Sequence, residues 1–543
     1  MSTTKPPNNQ SIETMNCTYP SWTFCFFLIL AFSSCRRYTP VDSFRTNYQS
    51  VNQIIHTDSS DHPFLKVHTP SGEVYVLESW TFNPTAQSLR GNGQRYNYNR
   101  DLIQEGDLII PGDQIALLET NDLSQIKAKD QEQIARLTIA LTVNAIGATL
   151  CLSFPKACFG SCPTFYLHPD EPVQAARAEG FSSSIMPALE KQDIDPLHHE
   201  TDESAFSLYM KNEALETHAV NKVGLIAVPK PGNEQVHMSL DGSFFRCGSP
   251  VVYTHSTINE GTGDSRLKNY DGQEYISLTD SFDLNQKEEI VLAFTDLSDS
   301  DHGLLVRGRQ SLLSTFLLYT GFSYMGDEVS DIMARFQDKR AIQRISRKQY
   351  QRMESLDIQA WNPVKKRWDF IESIHETGPI AANALLVNLP SKYTGSGKCT
   401  LKVIATRGMW RLDQLSLVPV VDEARPVSCK PVQALNLSGN TASIAEITNA
   451  DTDYLVTFPG DMYRFDFNLP SVAPGENLAL FLDTQGYYLE HMRQEWLAEK
   501  NPKRLRKMIM GEAAIWRALA IEYKELESSM EDTFWQSTYS PAN

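Results

Sequence analysis

Short runs of β-branched and aromatic residues, each closed by a turn signal, recur along most of this chain and restrict it to a mainly antiparallel β-fold. The first run, "EVYVLESWTF" at 73–82, follows the turn Pro70-Ser71-Gly72. "GNGQRYNYNRD" and "DLIIPGDQIALLET" follow at once. Several short strands within one small region predict a β-barrel-like N-terminal domain or a curled sheet. From 163 to 325 come "AFSLYMKNEAL", "KVGLIAVPKP" and "EEIVLAFTDL", apolar or alternating runs between polar turns. "HGLLVRGRQSLLSTFLLYTGFSYMG" is long enough to begin as a strand and continue as a buried helix. Beyond a helical stretch at 331–352 stand "KRWDFIESI", "ALLVNLP", "CTLKVIATRG" and "MWRLDQLSLVPV", with loops such as "KYTGSGK" between them. That spacing suits a two-sheet β-sandwich. "YLVTFPGDMYRFDFNLP" adds a further strand pair.

The tail changes period. In "GYYLEHMRQEWLAEK" Leu489, Met492 and Trp496 fall on one helical face, and after Pro502 a stripe from Leu505 to Met530 continues it. A C-terminal helical hairpin is expected. At the other end, "SWTFCFFLILAFSSC" at 21–35 has no charge and ends in small residues and Cys35. A short apolar core with those flanks is a secretory signal, and it resembles a bacterial lipoprotein signal with Cys35 as the acylated residue. Phe32 and a leading region charged only by Lys5 depart from the usual pattern. Leu137 to Phe154 also carry no charge. As a helix they would extend about 27 Å, the lower edge for crossing a bilayer. They are read as a hydrophobic helix, buried between β-domains or transmembrane. A crossing would be consistent with an uncleaved first anchor that keeps Arg36, Arg37 and Arg136 inside.

The expected organisation is therefore signal 1–35, tether 36–62, small β-domain 63–124, hydrophobic helix 125–155, β-domain 156–330, helix plus β-sandwich 331–475 and helical tail 476–543. The length of 543 residues agrees with about three to four domains. A hydrophobic fraction of 41% against 21% charged residues describes a core-forming chain. The net charge of -17 argues against a nucleic-acid partner, which needs a basic face. The basic run "KNPKRLRK" at 500–507 reads as a solvated helix start.

Cysteine chemistry starts at "KACFGSCPTFYL", 156–167. Cys158 and Cys162 have no second pair to complete a zinc site, and three residues between them is one more than a redox pair wants. An exported chain favours a disulfide, within this pair or to Cys151 or Cys247, with Gly160 supplying the turn. Cys399 and Cys429 complete the six cysteines that remain after the signal. "DIDPLHHETDE", 193–203, offers His198, His199 and several carboxylates, but adjacent histidines on a strand point apart and a polar loop is expected. Asp296, Asp299 and Asp301 lack the calcium-loop spacing and read as an acidic turn. No nucleophile elbow, phosphate loop or H-E-x-x-H is present, so no catalytic residue, metal site or cofactor is assigned. In "GMWRLDQLSL" Trp410 is expected in a sandwich core, with Leu412 beside it and Arg411 facing away. Trp361, Trp368 and Trp410 form the possible ligand face, where an exposed indole would stack on a sugar ring.

Several stretches together resemble a known family. They are "YVLESWTF" with "IPGDQIALLETN", "FPKACFGSCPTFYL", "RGRQSLLSTFLLYTGFSYMG", "GPIAANALLVNLP" with "RGMWRLDQLSLVPV", and "YYLEHMRQEWLAE". The chain is similar in these to uncharacterised bacterial envelope lipoproteins. The resemblance implies an exported, lipid-anchored, mostly β protein facing the periplasm or cell surface, and it carries no activity. The expected function is binding or scaffolding, with the membrane, other envelope proteins or glycans as partners. The alternatives are a glycan-binding β-sandwich or a hydrolase whose site is assembled from distant residues.

Overall fold

The computed structural model describes residues 43–46, 65–69, 73–83, 85–96, 102–115, 117–121, 162–185, 189–214, 216–326, 353–375, 377–437, 444–451, 454–457, 460–490 and 499–536. Over these residues the chain is mainly β, with several sheets and one small closed barrel.

The first sheet is antiparallel, in the order Ser43–Thr46, Leu117–Asn121, Leu65–His68, Val74–Asn83, Ser88–Tyr96, Leu102–Pro111. Tyr75 and Leu77 keep a two-residue period into its core, and Trp80 comes one residue late. A register shift between Leu77 and Ser79 absorbs the extra residue and returns Trp80 to the core face. Of the barrel and the sheet expected here, the barrel is corrected and the open sheet is what forms. Closure requires the two end strands to pair, and Ser43–Thr46 and Leu102–Pro111 do not pair with each other among the described residues.

Two five-stranded sheets face each other further on. One runs Pro431–Asn436, Met462–Asn468, Ala205–Lys211, Thr164–Tyr166, Ala178–Glu179. The other runs Val427–Cys429, Glu216–Pro231, Glu476–Glu490, Lys191–Thr201, with Leu455–Thr457 also paired to Glu216–Pro231. Met210, Phe465 and Phe467 of the first meet Leu225, Leu480 and Leu482 of the second in one core. The second sheet buries its other face too, where Ile226, Val228 and Phe481 pack on Val236 and Phe244. Burial on both faces is why "KVGLIAVPKP" is apolar at successive positions instead of alternating.

Val236 and Phe244 belong to the closed barrel. Its order is Gln235–Ser239, Phe244–Cys247, Trp410–Glu423, His302–Gln310, Asn383–Leu389, and the last strand returns to the first by parallel pairing of Met238 with Leu385 and Ser239 with Leu386. Cys247, Leu305, Ala384, Leu386 and Val418 fill the interior. The alternate residues Leu304, Val306, Leu385, Leu415 and Leu417 point outward into the largest core. There they meet Ile290, Leu292, Ile358, Leu401 and Val403 of a six-stranded sheet. That sheet runs Gly261–Thr262, His255–Ile258, Lys287–Phe294, Cys399–Thr406, Leu356–Asn362, Arg367–Ile374. Of the runs expected in the sandwich, "ALLVNLP" and "MWRLDQLSLVPV" thus lie in the barrel wall, and "KRWDFIESI" and "CTLKVIATRG" lie in the sheet packed on it. The barrel and both five-stranded sheets draw strands from both sides of residue 330, so the boundaries read along the chain do not separate the sheets.

"HGLLVRGRQSLLSTFLLYTGFSYMG" divides at Ser311 into the strand His302–Gln310 and the helix Leu312–Met325. The Ser311 hydroxyl accepts the Leu313 N–H at 3.1 Å and caps the helix. Nearly every residue of that helix is buried, as its uniform apolarity requires. At the C-terminus, Pro502–Met510, Ala513–Leu526 and Met530–Gln536 are helical. The Asn501 side chain accepts the Arg504 N–H, Pro502 occupies the first turn, and Gly511 ends the helix at a φ of 71°. Leu505, Met508, Trp516, Leu519 and Tyr523 are the buried stripe. The helix expected over "GYYLEHMRQEWLAEK" is corrected at its start. Gly486 to Glu490 finish the strand Glu476–Glu490, because Glu216 to Val220 offer them a complete hydrogen-bonding edge.

Among the described residues no helix is long and apolar enough to cross a membrane. The stretch 137–154, the helical stretch 331–352, and Cys35, Cys151 and Cys158 lie outside the described residues.

Candidate ligand-binding surface

The hairpin Leu356–Asn362 and Arg367–Ile374 presents the aromatic residues singled out from sequence. Asn362 makes the turn, its Oδ1 accepting the N–H groups of Val364 and Lys365 at 3.1 and 3.0 Å. Leu356, Ile358 and Ala360 point into the core, so Gln359 and Trp361 point away from it. Trp361 pairs directly with Trp368, and Gln359 with Phe370, which places all four on the outer face. The two indoles meet edge to face, with centroids 5.4 Å apart. Trp361 is 36% and Phe370 60% exposed. From the neighbouring strand Lys402 sets its Nζ 4.7 Å from the Trp368 ring centroid and 2.6 Å from Glu289 Oε2. Arg367–Ile374 is the last strand of its sheet among the described residues.

Beside the aromatics is a shallow recess of about 440 Å³, bordered by Arg367, Trp368, Asp369, Phe370, Lys392 and Tyr393. Asp369 is its fixed point. It accepts from Asn362 Nδ2 at 2.7 Å, from the Tyr393 hydroxyl at 2.9 Å and from Arg367 Nε at 2.9 Å. The Asn362 and Tyr393 hydrogen bonds hold its carboxyl down to about 2, so it stays an acceptor at any physiological pH. Asp369 pairs with the inward-facing Ala360 and so projects to the opposite side of this edge strand from Trp368 and Phe370. The recess at the edge is bordered by the aromatic rings, the fixed carboxylate and the cations Arg367 and Lys392.

Trp410 is withdrawn from this surface. It is 3% exposed and its indole N–H donates to the Glu354 carbonyl at 2.8 Å. Leu412 is buried with it, while Arg411 turns away to Glu274 and Glu531. Cys247, Cys399 and Cys429 are buried free thiols. Burial pushes the first two up to about 12, which removes them as nucleophiles. Cys162 is not bonded to Cys247; its Sγ lies 3.6 Å from Glu179 Oε1, directly ahead of the strand Thr164–Tyr166. Among the described residues there is no disulfide.

The polar loop expected at "DIDPLHHETDE" is corrected to the strand Lys191–Thr201. Its register shifts where Leu480 pairs with His199 and Phe481 with Pro196, leaving Leu197 and His198 as bulge residues. His198 takes a φ of 49° there and its Nε2–H donates to the Ala382 carbonyl, 2.9 Å away. Asp195 is buried and accepts from Asn383 Nδ2 at 2.7 Å. Among the described residues no group of three or more His, Cys, Asp or Glu side chains could hold a metal ion.

Phe370, Lys402 and Tyr393 escape a reading of the sequence. Their membership of the patch depends on strand register and on a loop contact. The only local sign is the aromatic parity of Trp368 and Phe370 across "RWDF". No protein-family model and no curated protein sequence matches the chain.

Proposed function

We propose that this chain is an exported, lipid-anchored protein of the bacterial cell envelope that works by binding, and that its ligand is a glycan taken on the outer face of the hairpin Leu356–Ile374. The observation that supports the glycan reading is the outward Trp361–Trp368 pair with Phe370 beside it. A pyranose ring has an apolar C–H face that an indole can cover, and hydroxyls that a fixed carboxylate and nearby cations can bind. Asp369, Arg367 and Lys392 supply those groups around the recess. The six-stranded sheet and the barrel wall behind it act in this reading as a β-sandwich frame, which keeps the aromatic rings in place before the ligand arrives.

Calorimetric titration with a soluble N-acetylglucosamine oligosaccharide and with muropeptide fragments tests the binding. Trp368→Ala and Trp361→Ala should each weaken a saturable wild-type signal roughly tenfold or more, about 1.4 kcal/mol. No saturable binding by the wild type to either glycan, or unchanged affinity in both variants, ends the glycan reading. The anchor is tested separately. A clickable fatty-acid analogue should label the wild-type chain in cells and leave Cys35→Ala unlabelled; equal labelling rejects the acylation of Cys35.

A further inference from the structure

At one end of the closed barrel the interior changes from apolar to cationic. Along His302–Gln310 the residues Gly303, Leu305 and Arg307 share the inward face, since Leu304 and Val306 point to the outer core. Arg307 stands opposite Ala384 on one side and Gln414 on the other. His237 lies two residues before Ser239, which pairs with the inward-facing Leu386. The barrel therefore ends in Arg307, His237 and Gln414 where the layers below it are Leu305, Leu386 and Val418.

Other segments close over this end. The bulge at His198 brings its ring within 5.4 Å of the Tyr270 ring, centroid to centroid. The Arg307 guanidinium carbon lies 4.3 Å from the Tyr270 centroid. Asp413, itself a bulge residue, accepts the Gly272 N–H at 3.1 Å and so positions the loop that carries Tyr270. Arg177 is within electrostatic reach of both His198 and Tyr270. Among the described residues neither Arg177 nor Arg307 makes an ion pair, and the Nε of each is buried without a hydrogen-bond partner. The Asp413 carboxylate, which acts on Arg307, is committed to the backbone of Asp271 and Gly272.

Two part-buried guanidinium groups with no ion-pair partner among the described residues are costly, because the Asp413 charge that reaches Arg307 offsets its desolvation only in part. Such groups are kept where a ligand uses them. Burial also drives His198 down to about 4 and His237 to about 3, so both rings are neutral and add no competing charge. Barrel mouths are common seats for small ligands. We propose that this barrel mouth binds a phosphate group, as the free ion or as a small phosphomonoester, between the guanidinium groups of Arg177 and Arg307, with Tyr270 stacked on the solvent side. Phosphate fits better than a monocarboxylate, since its second charge balances the second arginine and its oxygens match the guanidinium fork. The site lies in the barrel and is independent of the aromatic hairpin.

The test is thermal unfolding of the detergent-solubilised full chain near neutral pH, titrated with sodium phosphate, with glycerol phosphate and with sodium chloride at matched ionic strength. The wild type should show a saturable rise in midpoint with at least one phosphate form beyond the chloride control, and the stronger response names the source. Arg307→Gln and Arg177→Gln should each require roughly tenfold more phosphate for the same rise. Their phosphate-free midpoints should equal or exceed the wild type, because each removes an unpaired charge; a purely structural arginine would lower them. Tyr270→Ala, at the surface, should weaken the response severalfold and decides the matter if a glutamine variant does not fold. No saturable response of the wild type to either form, or variants that respond as the wild type does, overturns the proposal.

Discussion

Trp410→Ala should lower the unfolding free energy by about 3–5 kcal/mol, the range for emptying a buried tryptophan site. Trp410 belongs to the largest core and stands opposite Gln310, at the point where the barrel strand hands over to the buried helix. Ser311 ties that junction together. Its N–H donates to the Met409 carbonyl at 2.8 Å and its hydroxyl to the Gly408 carbonyl at 2.5 Å. Surrounding residues can therefore relax little into the space, and the Glu354 carbonyl also loses its indole donor. Denaturant unfolding of both chains measures the difference. Trp410→Phe should recover part of it by refilling the volume without restoring the hydrogen bond. A loss below about 1 kcal/mol for the alanine variant would mean that the site collapses freely and that the rigid junction is not there.

Arg309→Ala should cost about 3 kcal/mol, near the lower end of the range for breaking a buried ion pair, because its partners keep some solvent contact. Arg309 is 8% exposed. It reaches Glu274 through Nε at 2.6 Å and Nη2 at 2.8 Å, Glu531 through Nη2 at 2.7 Å, and the Pro379 carbonyl through Nη1 at 2.5 Å. Arg411 binds the same two glutamates at 3.3 and 2.7 Å. Two cations and two anions balance, so removing one arginine leaves an excess of buried negative charge. Glu531 lies in the last helix, Met530–Gln536, and the network fastens that helix to the barrel wall together with the buried Met530 and Phe534. Hydrogen exchange should accordingly rise in that helix before the rest of the protein responds. The double variant Arg309→Met with Glu531→Gln should cost less than the sum of its parts, since it removes charge from both sides. Additive losses would show that the pair is not coupled.

Much of the β-content was legible from local pattern. The passage from strand to buried helix within "HGLLVRGRQSLLSTFLLYTGFSYMG" was legible because the apolar run is too long for one strand, and its place at Ser311 came from the structure. The helix from Pro502 could be placed by the proline and its stripe. The barrel was not legible. Its closing step pairs Met238 and Ser239 with Leu385 and Leu386, and nothing within either segment encodes the other. His198 was misplaced for a similar reason. A bulge depends on the partner strand, and a shift of one residue sends a side chain to the opposite face. The glycan patch was half legible. Its tryptophans stand out in composition, but parity alone did not separate the exposed Trp361 from the buried Trp410.

By itself, the sequence determined that this chain would be built of short strands, that one long apolar run would pass from strand into buried helix, and that its tail would be helical. Those features follow from residue propensity and from periods repeated over a few residues. Only the tertiary structure decided which strands close into a barrel, which aromatic rings face water, and that Arg177 and Arg307 both act on His198 and Tyr270. Each of these depends on register between distant segments, which is set by the simultaneous burial of both partners and not by either one.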